Sequence, residues 1–153
     1  MQGTHSIFIA DHNAALLDGL ANIISQEPAF KVIGTARSVK ELMDKAACSA
    51  PEIFLVDSDL PQLNGDQISP YFLRRKKPVK IIMLTDHWEK SLIKRIIALG
   101  VMGCLLKTCD ADELIFAIHQ VLAGKTYYPG FTEDQLNIFQ KSDDINKQNN
   151  LLT

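Results

Sequence analysis

Four residues of this 153-residue chain stand where chemistry could be done: Asp11, Asp57, Thr85 and Lys107. Each follows a short apolar run. Asp11 ends IFIA, Asp57 ends IFLV, Thr85 ends IIML and Lys107 ends CLL. A carboxylate at such a point is expected to be exposed to ligand yet held by a rigid element. Two carboxylates brought to one edge of a sheet need a cation, a proton or a basic neighbour. Lys107 is one candidate neighbour. A hard divalent ion such as Mg²⁺, which takes oxygen ligands, is another. Thr85 adds a hydroxyl. A carboxylate nucleophile, a hydroxyl, a fixed ammonium and a metal pocket together suit phosphoryl transfer to an aspartate, which runs on positioning and charge neutralisation.

The elements that must position these residues are legible as two alternating kinds of segment. Ile7–Ala10, Lys31–Ala36, Ile53–Val56, Ile81–Leu84 and Cys104–Leu106 are short and apolar, as strands buried on both faces are. Between them lie segments with helical spacing. Leu16, Leu17, Leu20, Ile23 and Ile24 share one face; so do Val39, Leu42, Met43 and Ala46, then Leu92, Ile93, Ile96 and Ile97, then Leu114, Ile115, Ile118, Val121 and Leu122. Ser38 with Glu41, and Asp110 with Glu113, form capping patterns. Gly100 and Gly124 stand where helices end in a left-handed residue. A further helix is expected within Asp66–Arg75, with Pro70 in its first turn. The order βαβαβαβαβα predicts an α/β fold, a doubly wound five-stranded parallel sheet with helices on both faces. In such sheets, sites form at the carboxyl ends of the strands.

Composition narrows the function classes. Hydrophobic residues make up 46% and charged residues 22%, as in an ordinary folded domain rather than a disordered chain. Residues 1–130 carry 14 basic and 14 acidic residues, so this body is neutral, which argues against non-specific nucleic-acid binding by the chain itself. The run Arg74-Arg75-Lys76-Lys77 is read as a solvated helix end. No apolar stretch has the length of a membrane helix, and no signal-like opening is present. Three cysteines, Cys48, Cys104 and Cys109, make neither a disulfide framework nor a zinc set, so the expected compartment is the reducing cytoplasm. Nucleotide-loop, zinc-protease and serine-hydrolase motifs are absent.

The chain resembles a response-regulator receiver domain of the NarL/LuxR type. IFIADHNAALLDGL matches that family's first strand and helix opening. LVDSDLPQLNG, with Pro61 and Gly65, matches its phosphoacceptor strand and loop. IIMLT and ALGVMGCLLK match its Thr and Lys strands, and the likeness spans about residues 6–125. The resemblance implies a (βα)5 flavodoxin-like receiver fold with strand order 2-1-3-4-5. It implies that Asp57 accepts a phosphoryl group from a sensor histidine kinase and that Asp11 helps hold Mg²⁺ together with Asp57. It further implies that Asp59 offers its backbone carbonyl to the metal, that Thr85 contacts the phosphoryl group and that Lys107 pairs with it. Phosphorylation would then bias homodimerisation and control a DNA-binding output domain.

Three positions depart from the family pattern. His12 stands where a second acid usually ligates the metal, and imidazole is a poor ligand for Mg²⁺. It could serve as a ligand for a softer metal or, more plainly, stand as a loop histidine. Asp86 follows Thr85 where a small residue is usual, and its charge would repel a phosphoryl donor. Cys104 replaces an aromatic and is read as a small buried hydrophobe. These departures keep a rival reading open, a degenerate receiver that works without phosphorylation as an interaction and dimerisation module. A phosphatase of the haloacid-dehalogenase type is a third reading, suggested by Asp57-Ser-Asp59 with Thr85 and Lys107, but its acid cluster after the Lys is not evident.

Beyond the receiver (residues 1–130), residues 131–153 change character. FTEDQLNIFQ predicts a short helix capped by Thr132 and Gln135, and KSDDINKQNN reads as a polar linker. Leu152-Thr153 resembles the opening of a helix-turn-helix domain, so the chain is expected to be the receiver half of a longer transcription regulator, touching DNA only through that C-terminal domain.

Overall fold

In the computed structural model, which describes residues 3–60 and 80–139, five parallel strands form one sheet: β1 (His5–Ala10), β2 (Phe30–Ala36), β3 (Ile53–Asp57), β4 (Lys80–Thr85) and β5 (Gly103–Leu106), in spatial order β2-β1-β3-β4-β5. The helices between and after the strands are α1 (Ala14–Ser25), α2 (Val39–Ala46), α3 (Lys90–Ala98) and α4 (Ala111–Leu122). The helix expected within Asp66–Arg75, the run at Arg74–Lys77, and Leu152-Thr153 lie outside the described residues.

Strand alternation sorts the core into two layers, because successive side chains point to opposite faces. Ile7, Ile9, Ile53, Leu55, Ile82, Leu84 and Leu105 face the layer filled by Leu17, Leu20 and Ile24 of α1 and Leu114, Ile118 and Val121 of α4. Phe8, Ala10, Phe54, Val56, Ile81, Met83 and Cys104 face the layer filled by Leu42 and Ala46 of α2 and Ile93, Ile96 and Ile97 of α3. Met43 departs from the face assigned to it and is exposed. On a helix of only 8 residues the buried stripe is narrow, and Leu42 with Ala46 fills it.

The ends of the helices follow the capping chemistry. Ser38 Oγ accepts from Glu41 N at 3.2 Å, and Asp110 Oδ1 accepts from Glu113 N at 2.8 Å. Glu41 Oε2 reaches back to Arg37 N at 3.2 Å, one residue before the Ser38 cap. Gly100 and Gly124 hold φ of 88° and 86°, the left-handed region that ends a helix at little cost for glycine. In β2 the ladder to β1 skips a residue: Ile7 pairs with Val32, but Phe8 pairs with Gly34. A Cβ on Gly34 would lie 2.5 Å from the Phe8 ring, so only glycine lets that ring lie flat against the strand.

The outer edge of β5 is covered by Tyr127, which bridges Gly103; Cys104 N donates to Tyr127 O at 3.0 Å and Tyr127 N donates to Met102 O at 2.9 Å. The Tyr128 hydroxyl, buried, donates to the Val101 carbonyl. Residues 133–139 are helical. Thr132 Oγ1 accepts from Gln135 N at 3.2 Å and Gln135 Oε1 accepts from Thr132 N at 2.9 Å, a reciprocal cap. Phe131, Leu136 and Phe139 pack on the layer beside α3, with Lys94 Nζ 5.2 Å from the centre of the Phe139 ring. No helix among the described residues is long and apolar enough to cross a membrane.

Candidate functional site

The register of the sheet places the site. Asp57 and Thr85 are the last residues of β3 and β4 rather than the first residues past them. Asp57 stands opposite Leu84, and Ala10 stands opposite Val56. Asp11 therefore leaves β1 beside Asp57. Backbone bonds tie the next segments to the same edge: Ser58 N donates to Leu84 O at 2.8 Å, and Lys107 N donates to Thr85 O at 2.8 Å. The end of β4 thus positions both the loop after Asp57 and the lysine.

Asp11, Asp57 and Lys107 converge. Lys107 Nζ lies 2.7 Å from Asp57 Oδ1 and 3.5 Å from Asp11 Oδ2, and its side chain is 7% exposed. Asp59 N donates to Asp57 Oδ1 at 2.9 Å. Asp57 is not exposed to ligand, as its place at a strand end had suggested. It is fully buried, because Lys107 covers one carboxylate oxygen and His12 covers the other. His12 N donates to Asp57 Oδ2 at 3.2 Å, and the ring Nδ1 of His12 touches the same oxygen. His12 is thus more than a loop histidine: it is the immediate cover of Asp57, while its own side chain stays 43% exposed.

Charge and hydrogen bonding act against burial here. Burial pushes the Asp57 carboxyl up, but the hydrogen bonds from Lys107, His12 and the Asp59 and His12 amides outweigh it and leave it below the usual carboxylate range. Burial pulls the Lys107 ammonium down, while Asp57, then Asp11 and Asp86, more than reverse that and hold it above the usual lysine range. Both groups are charged near neutral pH. Asp86, exposed next to Thr85, therefore acts on the site as an added negative charge.

Asp11 makes the other half of the cup. Its Oδ1 accepts from Asn13 N at 2.8 Å, the turn that leads into α1, where Asn13 is the cap. Its Oδ2 is buried and accepts no hydrogen bond among the described residues. A buried anionic oxygen without a donor is costly, and such an atom fits a cation. Asp11, His12 and Asp57 each offer one ligand atom, all within 4.8 Å of one another. The carboxylates fit a divalent cation. The imidazole does not belong to an oxygen-only set.

Thr85 is buried at the same edge, yet its hydroxyl donates to His87 O at 3.0 Å, within its own loop. Asp59 is exposed and, with Ser58, Thr85, Asp86 and Arg95, lines a cleft beside Asp57. Cys104 is fully buried, its thiol pushed up to about 12 by burial, which keeps it protonated and inert, as a small hydrophobe should be. Trp88, three residues past Thr85, is 39% exposed. Sequence reasoning passed over Arg37, whose Nη2 donates to the His12 carbonyl at 3.1 Å and pins the backbone of the covering residue. An arginine just after the second strand was the only trace of it.

The sequence pattern of the response regulator receiver domain family matches residues 7–119. The transcriptional regulatory protein LnrK of Bacillus subtilis (strain 168) is 31% identical over 153 residues, which covers 95% of this chain and 70% of LnrK. The transcriptional regulatory protein DegU of Brevibacillus brevis is 27% identical over 136 residues, covering 88% of this chain and 58% of DegU. Several further regulators match to a similar extent, so the chain spans about three fifths of the length of most such relatives. Among solved structures, the non-phosphorylated receiver domain of the stress response regulator RcsB from Escherichia coli superposes with a TM-score of 0.76 at 21% identity, covering 83% of this chain and 99% of that one. The signal receiver domain of the NarL regulator from Mycobacterium tuberculosis gives 0.74 at 19% identity, covering 80% and 99%.

Proposed function

Since the chain belongs to the response regulator receiver domain family and is the receiver of a two-component regulator of the NarL/LuxR type, we propose that Asp57 is its phosphoacceptor. The observation that carries this is the pairing of a fully buried Asp57 with Lys107 at 2.7 Å, at the carboxyl edge of the sheet. A carboxylate oxygen of Asp57 attacks the phosphorus of a phosphohistidine on a sensor kinase. The P–N bond breaks and the imidazole leaves with its electron pair, taking a proton from water. Lys107 neutralises the growing charge on the acceptor, and the Asp59 amide holds the oxygen that does not attack. The His12 ring must swing off Asp57 Oδ2 to admit the donor, which its exposed position allows.

Asp11 and Asp57 are the residues that would hold the divalent ion, Mg²⁺ in the family pattern, with the Asp59 carbonyl as a third oxygen. Such an ion, when bound, neutralises the negative charge of the phosphoryl oxygens. Thr85 would rotate from His87 O to meet the new phosphoryl group, and Lys107 would follow it. The added charge of about −2 then reshapes the face around α3 and β5 and biases homodimerisation. Output would pass through a C-terminal DNA-binding domain beyond the linker. The curated relatives are transcriptional regulators, and a structure titled as two RcsB dimers bound to two parallel DNAs shares this fold. We read the chain as a switch rather than an enzyme with turnover, and its three free cysteines suit the cytoplasm.

Incubation with acetyl phosphate and Mg²⁺, or Mn²⁺ in parallel, followed by intact-mass measurement, tests this. One phosphoryl adduct that disappears in Asp57→Asn is expected. No adduct with either ion overturns it in favour of the phosphorylation-independent module, and an adduct that survives Asp57→Asn overturns it in favour of a different acceptor residue.

A further inference from the structure

We propose that the cup is a mixed nitrogen–oxygen metal site, in which His12 Nδ1 joins one carboxylate oxygen each of Asp11 and Asp57, and that it prefers a borderline transition ion such as Co²⁺ or Zn²⁺ over Mg²⁺. This rests on reading the cup as the cation site of the proposed phosphoacceptor, and it concerns which ion that site selects.

Two independent observations support it. The first is geometric: the three ligand atoms already lie within 4.8 Å of one another. Metal–ligand bonds of about 2.0–2.2 Å place neighbouring ligand atoms roughly 3–3.5 Å apart, so small side-chain movements complete the set. The second is the Asp11 oxygen. Asp11 is fully buried, its Oδ1 is taken by the Asn13 amide, and its Oδ2 accepts no hydrogen bond among the described residues, with Lys107 Nζ no nearer than 3.5 Å. That oxygen is left one positive partner short.

His12 is built to serve as the third ligand. Its amide donates to Asp57 Oδ2 and its carbonyl accepts from Arg37 Nη2, so the backbone is held at both ends. Its ring is 43% exposed and free to back away from Asp57 by the width of an ion. The selectivity follows from ligand type. Mg²⁺ requires near-octahedral oxygen ligation and sheds water reluctantly, whereas imidazole suits the later divalent ions. Replacing an oxygen by a nitrogen therefore weakens Mg²⁺ and strengthens Co²⁺ at the same place.

The test is a pair of calorimetric titrations of the metal-free chain, one with Mg²⁺ and one with Co²⁺, with the visible absorption of bound Co²⁺ as a second readout. The wild type is expected to bind Co²⁺ at least about tenfold more tightly than Mg²⁺. His12→Asp should lower that ratio about tenfold or more, by tightening Mg²⁺ and loosening Co²⁺. His12→Ala should lose Co²⁺ affinity without gaining Mg²⁺ affinity. A ratio unchanged in His12→Asp overturns the proposal, as does Co²⁺ binding of full strength in Asp11→Asn, which would place the ion elsewhere. The acetyl phosphate experiment separates the two readings. Adduct formation with an unchanged metal ratio sinks only the selectivity. An absent adduct with the metal preference intact sinks only the acceptor role.

Discussion

β1 carries a histidine at each end, and each histidine meets a carboxylate. At the amino end, His5 Nδ1 lies 2.8 Å from Glu52 Oε2; just past the carboxyl end, His12 Nδ1 touches Asp57 Oδ2. The rings are equally open, 42% and 43% exposed. The carboxylates are not: Glu52 is 48% exposed and Asp57 is 0%. Glu52 keeps its water, so its ion pair adds little. Asp57 has lost its water and depends on Lys107, on two amides and on the ring. A histidine–carboxylate pair is ornament at one end and structure at the other. What separates them is the solvation of the acid and the number of donors replacing it.

The largest effect expected from that contrast is in Lys107→Met. It leaves two buried carboxylates facing each other, and removing one partner of a buried pair typically costs about 3–5 kcal/mol. Urea unfolding should show it as a lower midpoint, and a loss as small as that in Glu52→Gln would erase the distinction between the two ends.

Acid should discriminate next. The Asp57 carboxyl is held below its ordinary value of 3.8 in the folded chain. Its contribution to stability is therefore full above that value and is lost as pH falls through the lower, folded one. Asp57→Asn should flatten the acid limb of the stability profile, measured by thermal unfolding at successive pH values, while Glu52→Gln should leave its shape nearly as in the wild type. Lys107 gives the mirror case. Its pKa is raised above 10.5, so its contribution is present below that value and fades as pH rises through the folded one.

A smaller effect is expected from Arg37→Ala, which removes the hydrogen bonds to the His12 carbonyl. About 0.5–1.5 kcal/mol is the usual worth of such a contact, and the more telling sign is faster labelling of Asp57 by acetyl phosphate as the covering ring loosens. The smallest is His5→Ala, for which a change under about 1 kcal/mol and an unaltered phosphorylation rate are expected.

Much of the fold was legible because apolar runs and helical stripes are local. The five strands, the capping residues and the two glycine helix ends all appear within a residue or two of where their patterns place them. Strand order came from the family resemblance, since periodicity does not rank neighbours. The meeting of Asp11, Asp57 and Lys107 was legible once the resemblance supplied that order, because all three stand at the carboxyl edge of one parallel sheet. Rotamers were not. Nothing local says that the Thr85 hydroxyl turns to His87, or that the His12 ring folds onto Asp57. Both are decided by neighbours far away in the chain. The burial of Asp57 was missed for the same reason: a strand end reads as open until the side chains that close over it are placed.

The skipped pairing at Phe8 and Gly34 has a consequence for how this chain can vary. A ring lies flat on a strand that has no side chain there, so the two positions behave as a lock and its blank. Gly34→Ala alone forces overpacking, which usually costs about 1–3 kcal/mol. The same change with Phe8→Leu should cost less than the separate losses added together. A side chain at Gly34 is therefore accommodated most cheaply when Phe8 shrinks with it, although the two sit on different strands.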